Sequence, residues 1–348
     1  MNRALAAALD DALRRLGDSL PADWRRIVMV KNDGPIPVPP HPVDGDPARG
    51  FNLLLLSEAG DPAYYVRCRD AADAVAAREI EVLRILADAP ALRPHLLEAA
   101  GSRSGGIQVL ATRYVDGPLL ARLVQGMPVP EWQATLEELI DLTSDVGRVA
   151  RERLPDAGSA APFDFAAASR DGLKRLADRG LGAARSEALA RVLDAAGTAA
   201  RFPQHGDLWP GNVIRDGSVW RLLDFEHFGL VDAPLFDACH LTFTGTEYLL
   251  TGGHGLDQPW VSQVHAGTPV GRASRNVLVH AARRLGLAPE AAAGALVHYL
   301  VEGTDRLMRR GAMEEVWQFP FREVTALAEL IERGSDPEQV FFEELVRD

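Results

Sequence analysis

Cysteine is nearly absent: Cys68 and Cys239 are the only two in 348 residues, far apart and without metal-ligand spacing. That excludes a disulfide framework and a cysteine-based zinc site, and the expectation is a reduced, cytoplasmic protein. Long apolar runs are missing too. The longest leucine string is Leu53 to Leu56, whereas a membrane helix needs about 20 apolar residues, so no membrane partner is expected. Basic residues are in the minority, 37 Lys and Arg against 49 Asp and Glu, for a net charge of −12. This argues against nucleic acid as the main partner, because phosphate-backbone binding relies on clustered Lys and Arg. There is no internal repeat and no extended low-complexity tract. The opening MNRALAAALDDALRRLGDSL has a superficial likeness to a signal peptide, but Asp10 and Asp11 break its apolar stretch. It reads as a short amphipathic helix over 1–20.

What is present is ample core material, 47% hydrophobic residues, enough for one large or two ordinary domains. Strand character at 26–30, 51–57, 63–69 and 107–115 surrounds one helix at 73–87, whose apolar residues share a face. A proline-rich loop, Asn32 to Gly50, interrupts the first strands; such length inside a domain suggests a functional segment. The Asp116–Gly117–Pro118 turn marks a boundary. Beyond it helices are expected at 131–150, 167–178, 184–200, 272–285, 289–309, 321–333 and 336–346, the last with Ser335 and Glu338 as a capping box. The fold class is therefore α+β: a terminal helix (1–20), a small β-rich lobe (21–115) and a large, mostly helical lobe (116–348).

The helical pattern is broken once, by QHGDLWPGNVIRDGSVWRLLDFEHFG. It contains His205, Asp207 and Asn212 as H-x-D-x-x-x-x-N, then Asp224 in D-F-E after a turn and a short apolar strand. Asn212 and Asp224 offer one neutral and one anionic oxygen, the hard donors that Mg²⁺ prefers alongside phosphate oxygens. Asp207 can accept or orient a hydroxyl proton. Order and spacing match the catalytic loop and metal motif of phosphoryl transfer. A lone HGD is more often turn chemistry; the four residues together in this context are not.

The segment resembles the aminoglycoside phosphotransferase and choline-kinase-like family, and the likeness covers roughly residues 48 to 245. The resemblance implies a protein-kinase-like two-lobed fold, ATP with Mg²⁺, and phosphorylation of a small-molecule hydroxyl. It makes Asp207 the catalytic base, His205 a supporting residue, Asn212 and Asp224 the metal ligands, and Asp237 a brace. Glu226 stands where protein kinases usually have glycine. No Ala-Pro-Glu segment with an activation loop follows, which disfavours a protein substrate. On the nucleotide side, Arg67 occupies the place of the family's lysine, and arginine can grip phosphate through two donors. At about 100° per residue, Glu79 lies mid-stripe beside Val75, Val82, Leu83 and Leu86, while Glu81 points away. A carboxylate on a packed face needs a partner, and pairing with Arg67 agrees with the family pattern. Gly50 and Asn52 resemble the phosphate-loop segment, though glycine-poor. Thr112 to Val115 looks like the interlobe hinge, where Arg113 and Val115 would meet the adenine edge.

Other features have plainer readings beside functional ones. His227, His240, His254 and His265 fit no ligand spacing and read as structural. Trp209 is a substrate wall or a core residue. Glu302, Asp305, Glu314, Glu315, Trp260 and Trp317 can attract a cationic substrate, but such helical charges usually form a solvated face. A non-enzymatic ATP-binding module of the same fold stays open as the alternative. A metal-dependent hydrolase would need further ligands, which the sequence lacks.

Overall fold

The computed structural model describes residues 3–19, 26–33, 50–154, 161–309 and 311–346. Its first elements are α1 (Arg3–Arg15), β1 (Ile27–Asp33), β2 (Gly50–Leu56), β3 (Pro62–Asp70), α2 (Ala74–Ala87), β4 (Ala99–Ser104) and β5 (Ile107–Arg113). Next come the single turn α3 (Leu120–Leu123), α4 (Val129–Arg153), β6 (Phe163–Asp164), α5 (Phe165–Leu176), α6 (Ala183–Ala196) and β7 (Thr198–Ala199). The short hairpin β8 (Val213–Asp216) and β9 (Val219–Leu222) precedes α7 (Phe236–Thr251) and α8 (Trp260–His265). The chain closes with α9 (Pro269–Leu285), α10 (Pro289–Arg309), α11 (Glu314–Glu332) and α12 (Pro337–Val346). Two compact units result: Met1–Gly117 with Ile214–His227, and Pro118–Val213 with Phe228–Asp348. The first boundary falls in the Asp116–Gly117–Pro118 turn.

In the first unit the antiparallel sheet has the order β1-β2-β3-β5-β4. Its registers sort side chains onto two faces by the period of two. Leu53 opposes Val66, Leu55 opposes Tyr64 and Cys68 opposes Val109, and these buried residues form a core with Leu5, Ala8, Leu9, Ala12 and Leu13 of α1. That i, i+3, i+4, i+7, i+8 stripe is what makes α1 a helix with one apolar face. The terminal helix is thus part of the first unit, the backing of its sheet. The alternate residues, Gly50, Asn52, Arg67 and Arg69, share the opposite face, because Asn52 pairs with Arg67 and Gly50 with Arg69. The hairpin β8–β9 joins this unit through backbone anchors. Arg221 donates to the Leu96 carbonyl at 2.8 Å, His95 Nδ1 meets the Trp220 carbonyl at 2.9 Å, and Leu96 bridges Leu222.

The second unit is helical around α10, which packs against α5, α6, α7, α11 and α12. Its Ala291–Val301 stretch is buried on every side, as befits a helix apolar all round. No described helix is long and apolar enough to cross a membrane.

Several expectations shift. The strand β4 (AAGSRS) has no β-branched or aromatic residue to mark it in the sequence and exists through pairing with β5. The six-residue α8 is too short to show periodicity. The helix expected over 184–200 ends at Ala196, where Thr198 and Ala199 turn to pair with Phe163 and Asp164. At α12 the Glu338 N–H is received by Asp336 Oδ1 at 3.0 Å, so Asp336 and not Ser335 caps the helix. Most of the proline-rich loop, residues 34–49, lies outside the described residues.

Candidate active site

In the first unit, α2 delivers a carboxylate to the strand cation. Asp73 caps α2 by accepting from the Val75 and Ala76 N–H groups at 3.0 and 3.1 Å. That sets the helix phase, and Glu79 is buried among Val82, Leu83 and Leu86. Arg67 Nη2 bonds Glu79 Oε1 directly. Arg67 Nη1 donates to Asp224 Oδ1 at 2.8 Å and reaches Glu226 Oε2 at 3.5 Å. One guanidinium therefore faces three carboxylates. Burial works against the Arg67 charge, but Glu79, Asp224 and Glu226 outweigh it and push its pKa up. Burial pushes the Glu79 carboxyl up to about 7, and the Arg67 charge pulls against that. Burial, then the Asp224 charge, also raises Glu226. Asp224 adopts a left-handed backbone, φ 60°, a strained conformation for a non-glycine residue that concentrates at functional sites.

Beside this group lies a second cation. Arg69 Nη1 donates to Asn52 Oδ1 at 3.1 Å, and its charge acts on Glu226. A Cβ on Gly50 would stand 2.6 Å from both Arg69 Nη1 and the Cys68 carbonyl. The Arg69 side chain could move aside, but the Cys68 carbonyl is backbone, so the strand passes here only as glycine. The signal was available: Arg69 is two residues from Arg67, so it shares its face. At the end of β5, the Arg113 N–H is committed to the Glu98 carbonyl at 2.8 Å, and its side chain pairs with Glu98. Val115 lies just past the strand.

In the second unit, α7 organises the loop that carries Asp207. Asp237 is buried and accepts the backbone N–H groups of His205 (2.6 Å) and Gly206 (2.9 Å), while its own N–H donates to Gln204 Oε1 at 3.1 Å. Burial pushes its carboxyl up to about 7 against those two donors. Asn212 Nδ2 donates to Asp207 Oδ2 at 3.0 Å and to the Asp207 carbonyl at 2.9 Å, aligning the carboxylate. The Asn212 amide oxygen is thereby turned away from Asp207. His205 is buried in the same loop. Trp209 is half-buried, its ring 5.9 Å from that of Tyr248 and packed on Gly211, where a Cβ would come within 2.2 Å of the indole. Asp237→Asn places an amide where two N–H donors converge, and should lower the unfolding free energy by about 1–3 kcal/mol. Urea titration checks this; an unchanged midpoint would remove the brace.

Two of the other candidates, Trp260 and Asp305, are taken up by the interior. Trp260 is fully buried against Phe243 and Phe341. Asp305 is fully buried and bonded by Arg175 at 2.5 and 2.7 Å and by Arg309 at 2.7 Å, so it is structural rather than a lure for cations. Glu302 pairs with Arg309 at 3.0 Å. Trp317 stacks edge-on with Phe321, and Glu314 bonds Gln318. His240, read as structural, sits with Nε2 3.8 Å from Asp207 Oδ1. Its place three residues after Asp237, on the same helix face, was the signal.

The first unit thus holds a strand arginine bonded to a helix carboxylate, and the second an aspartate on a loop braced by α7. Residues 52–260 match the phosphotransferase enzyme family (APH), and the chain belongs to that family. No curated protein matches the chain. Among solved structures, it is similar to choline kinase from Cryptosporidium parvum Iowa II, with 12% identity over 90% of this chain and 92% of that one and a TM-score of 0.50. It is also similar to a thermostable mutant of aminoglycoside phosphotransferase APH(4)-Ia, with 14% identity, 93% and 98% coverage and a TM-score of 0.46. An ethanolamine kinase from Plasmodium vivax follows at 10% identity, 93% and 86% coverage and a TM-score of 0.47. The fold is the kinase-like α+β fold, with a small β-rich lobe and a large helical lobe.

Proposed function

We propose that the protein transfers the γ-phosphoryl group of ATP, presented with Mg²⁺, to a hydroxyl of a small molecule. The observation that carries this is Arg67, bonded at once to Glu79 on a helix and to Asp224 at the start of the metal motif. Phosphoryl transfer needs a positioned cation on the phosphates and a carboxylate that orients it. Arg67 fills the first role and Glu79 the second. Gly50, Asn52 and Arg69 lie on the same sheet face and would cover the phosphates. With its N–H already used, Arg113 would offer its carbonyl to the adenine edge, and Val115 its N–H.

The donor set fits magnesium. Mg²⁺ is ordinarily held by one or two carboxylates plus phosphate oxygens, and the motif offers one carboxylate and one amide, both hard oxygen donors. Asp224 would supply the anionic oxygen and Asn212 the amide oxygen. When bound, Mg²⁺ neutralises charge on the transferring phosphoryl group. Asp207 would accept the proton of the attacking hydroxyl. Only a short run from His227 to Leu235 separates the metal motif from α7, which favours a small-molecule acceptor over a protein.

A coupled ADP-release screen with Mg·ATP tests the proposal across sugars, amino sugars, amino alcohols and hydroxyl-bearing antibiotics. At least one acceptor should stimulate ADP release; stimulation by none, with ATP bound, would count against it. Asp224→Ala should abolish magnesium-dependent ATP binding in titration calorimetry, because the anionic ligand is lost where phosphate charge concentrates. Unchanged Mg·ATP affinity would take Asp224 out of the metal site.

A further inference from the structure

The second unit holds a histidine that the roles above do not use. His240 projects from α7 one turn after Asp237. Its Nε2 lies 3.8 Å from Asp207 Oδ1, and its Nδ1 lies 3.1 Å from the hydroxyl of Tyr299 on α10. Phe236 packs against both rings, at 6.3 and 5.3 Å between centroids. We propose that His240 is a positioning residue for Asp207: held by Tyr299 with its proton on Nε2, it faces Oδ1 while Asn212 fastens Oδ2. The inference rests on Asp207 being the base.

The proton's place follows from the neighbours. If Nδ1 carried it, the Nε2 lone pair would point at a carboxylate oxygen, a repulsive arrangement. With the Tyr299 hydroxyl donating to Nδ1, the Nε2–H dipole points at that oxygen instead. A doubly protonated ring is disfavoured because burial, then the charges of Arg306 and His205, lower the His240 pKa to about 4. At 3.8 Å the contact is electrostatic rather than a hydrogen bond. It sets an imidazole dipole beside Oδ1 while Asn212 bonds Oδ2. One helix thus sets the backbone of the loop through Asp237 and the carboxylate through His240.

The test pairs a structural readout with turnover. In protein labelled with ¹⁵N-histidine, the His240 ring, assigned by its loss in His240→Gln, should be neutral with the proton on Nε2 at pH 7. Tyr299→Phe should mix the tautomers, and Asp207→Asn should shift the Nε2 resonance. Turnover is read as ADP release from Mg·ATP with water as acceptor. His240→Leu should lower kcat roughly tenfold to hundredfold with KM for ATP unchanged, the size of a small misplacement of a reacting group. His240→Gln, whose amide can put a donor near the Nε2 position, should recover most of that loss. An Nδ1–H or charged ring overturns the proposal. So does equal kcat in the Leu variant and wild type, or equal loss in Gln and Leu. A wild type that releases no ADP under any condition would remove the kinase reading itself, and this role with it, whatever the tautomer.

Discussion

Asp207→Asn should reduce turnover by roughly 10²–10⁴, with ATP affinity near that of the unaltered protein. The substitution is nearly isosteric, and the loop that carries it is held from elsewhere. Its backbone is pinned by Asp237 at His205 and Gly206, and Asn212 also grips the residue through the Asp207 carbonyl. What the variant loses is a proton acceptor, not a fold. The loss should therefore appear in kcat, with the ATP dissociation constant and urea midpoint almost unmoved. Near-normal kcat would remove Asp207 from the chemistry; a collapsed midpoint would make its role structural.

The second large effect belongs to Arg67 and Glu79. Arg67 keeps 15% of its side-chain exposure and Glu79 4%, so neither charge can turn to water when its partner goes. Removing one side of a buried pair typically costs about 3–5 kcal/mol. Glu79→Ala leaves Arg67 with Asp224 and Glu226. Arg67→Ala leaves three carboxylates facing one another, so it should destabilise more. Both should raise KM for ATP, and the double variant should show strong coupling, because the two act as one unit. Arg67→Lys should retain much of the activity and less of the stability, since a single ammonium cannot reproduce a fork that serves Glu79 from one nitrogen and Asp224 from the other. Additive effects with unaltered ATP dependence would show that the pair is no nucleotide clamp.

How much of this was legible depended on whether a residue's role lay within one element or between distant ones. The choice of Glu79 over Glu81 needed only helical spacing, and the chain places Glu79 on Arg67 as that spacing requires. His205, Asp207, Asn212 and Asp224 could be picked out because a short loop and hairpin keep them at fixed offsets. Arg69 does not stand out in the sequence because its place beside Asn52 and Gly50 comes from register, the pairing of β3 with β2. His240 escaped because it faces a carboxylate 33 residues earlier and a hydroxyl 59 residues later, separations that no local pattern encodes. Trp260, an aromatic that could stack on a cationic substrate as far as sequence goes, fills the core beside Phe341. The terminal helix α1 read as a separate element, because the apolar sheet face it covers is defined only once the strands pair.

The central claim is transfer of a phosphoryl group to an alcohol, and its most direct test is ³¹P NMR of Mg·ATP incubated with an acceptor that stimulates ADP release. A phosphate monoester signal should grow as the γ-phosphate of ATP declines, in equal amounts, and should be nearly lost with Asp207→Asn. ATP consumption that yields only inorganic phosphate, at the same rate with and without every acceptor tried, would contradict it.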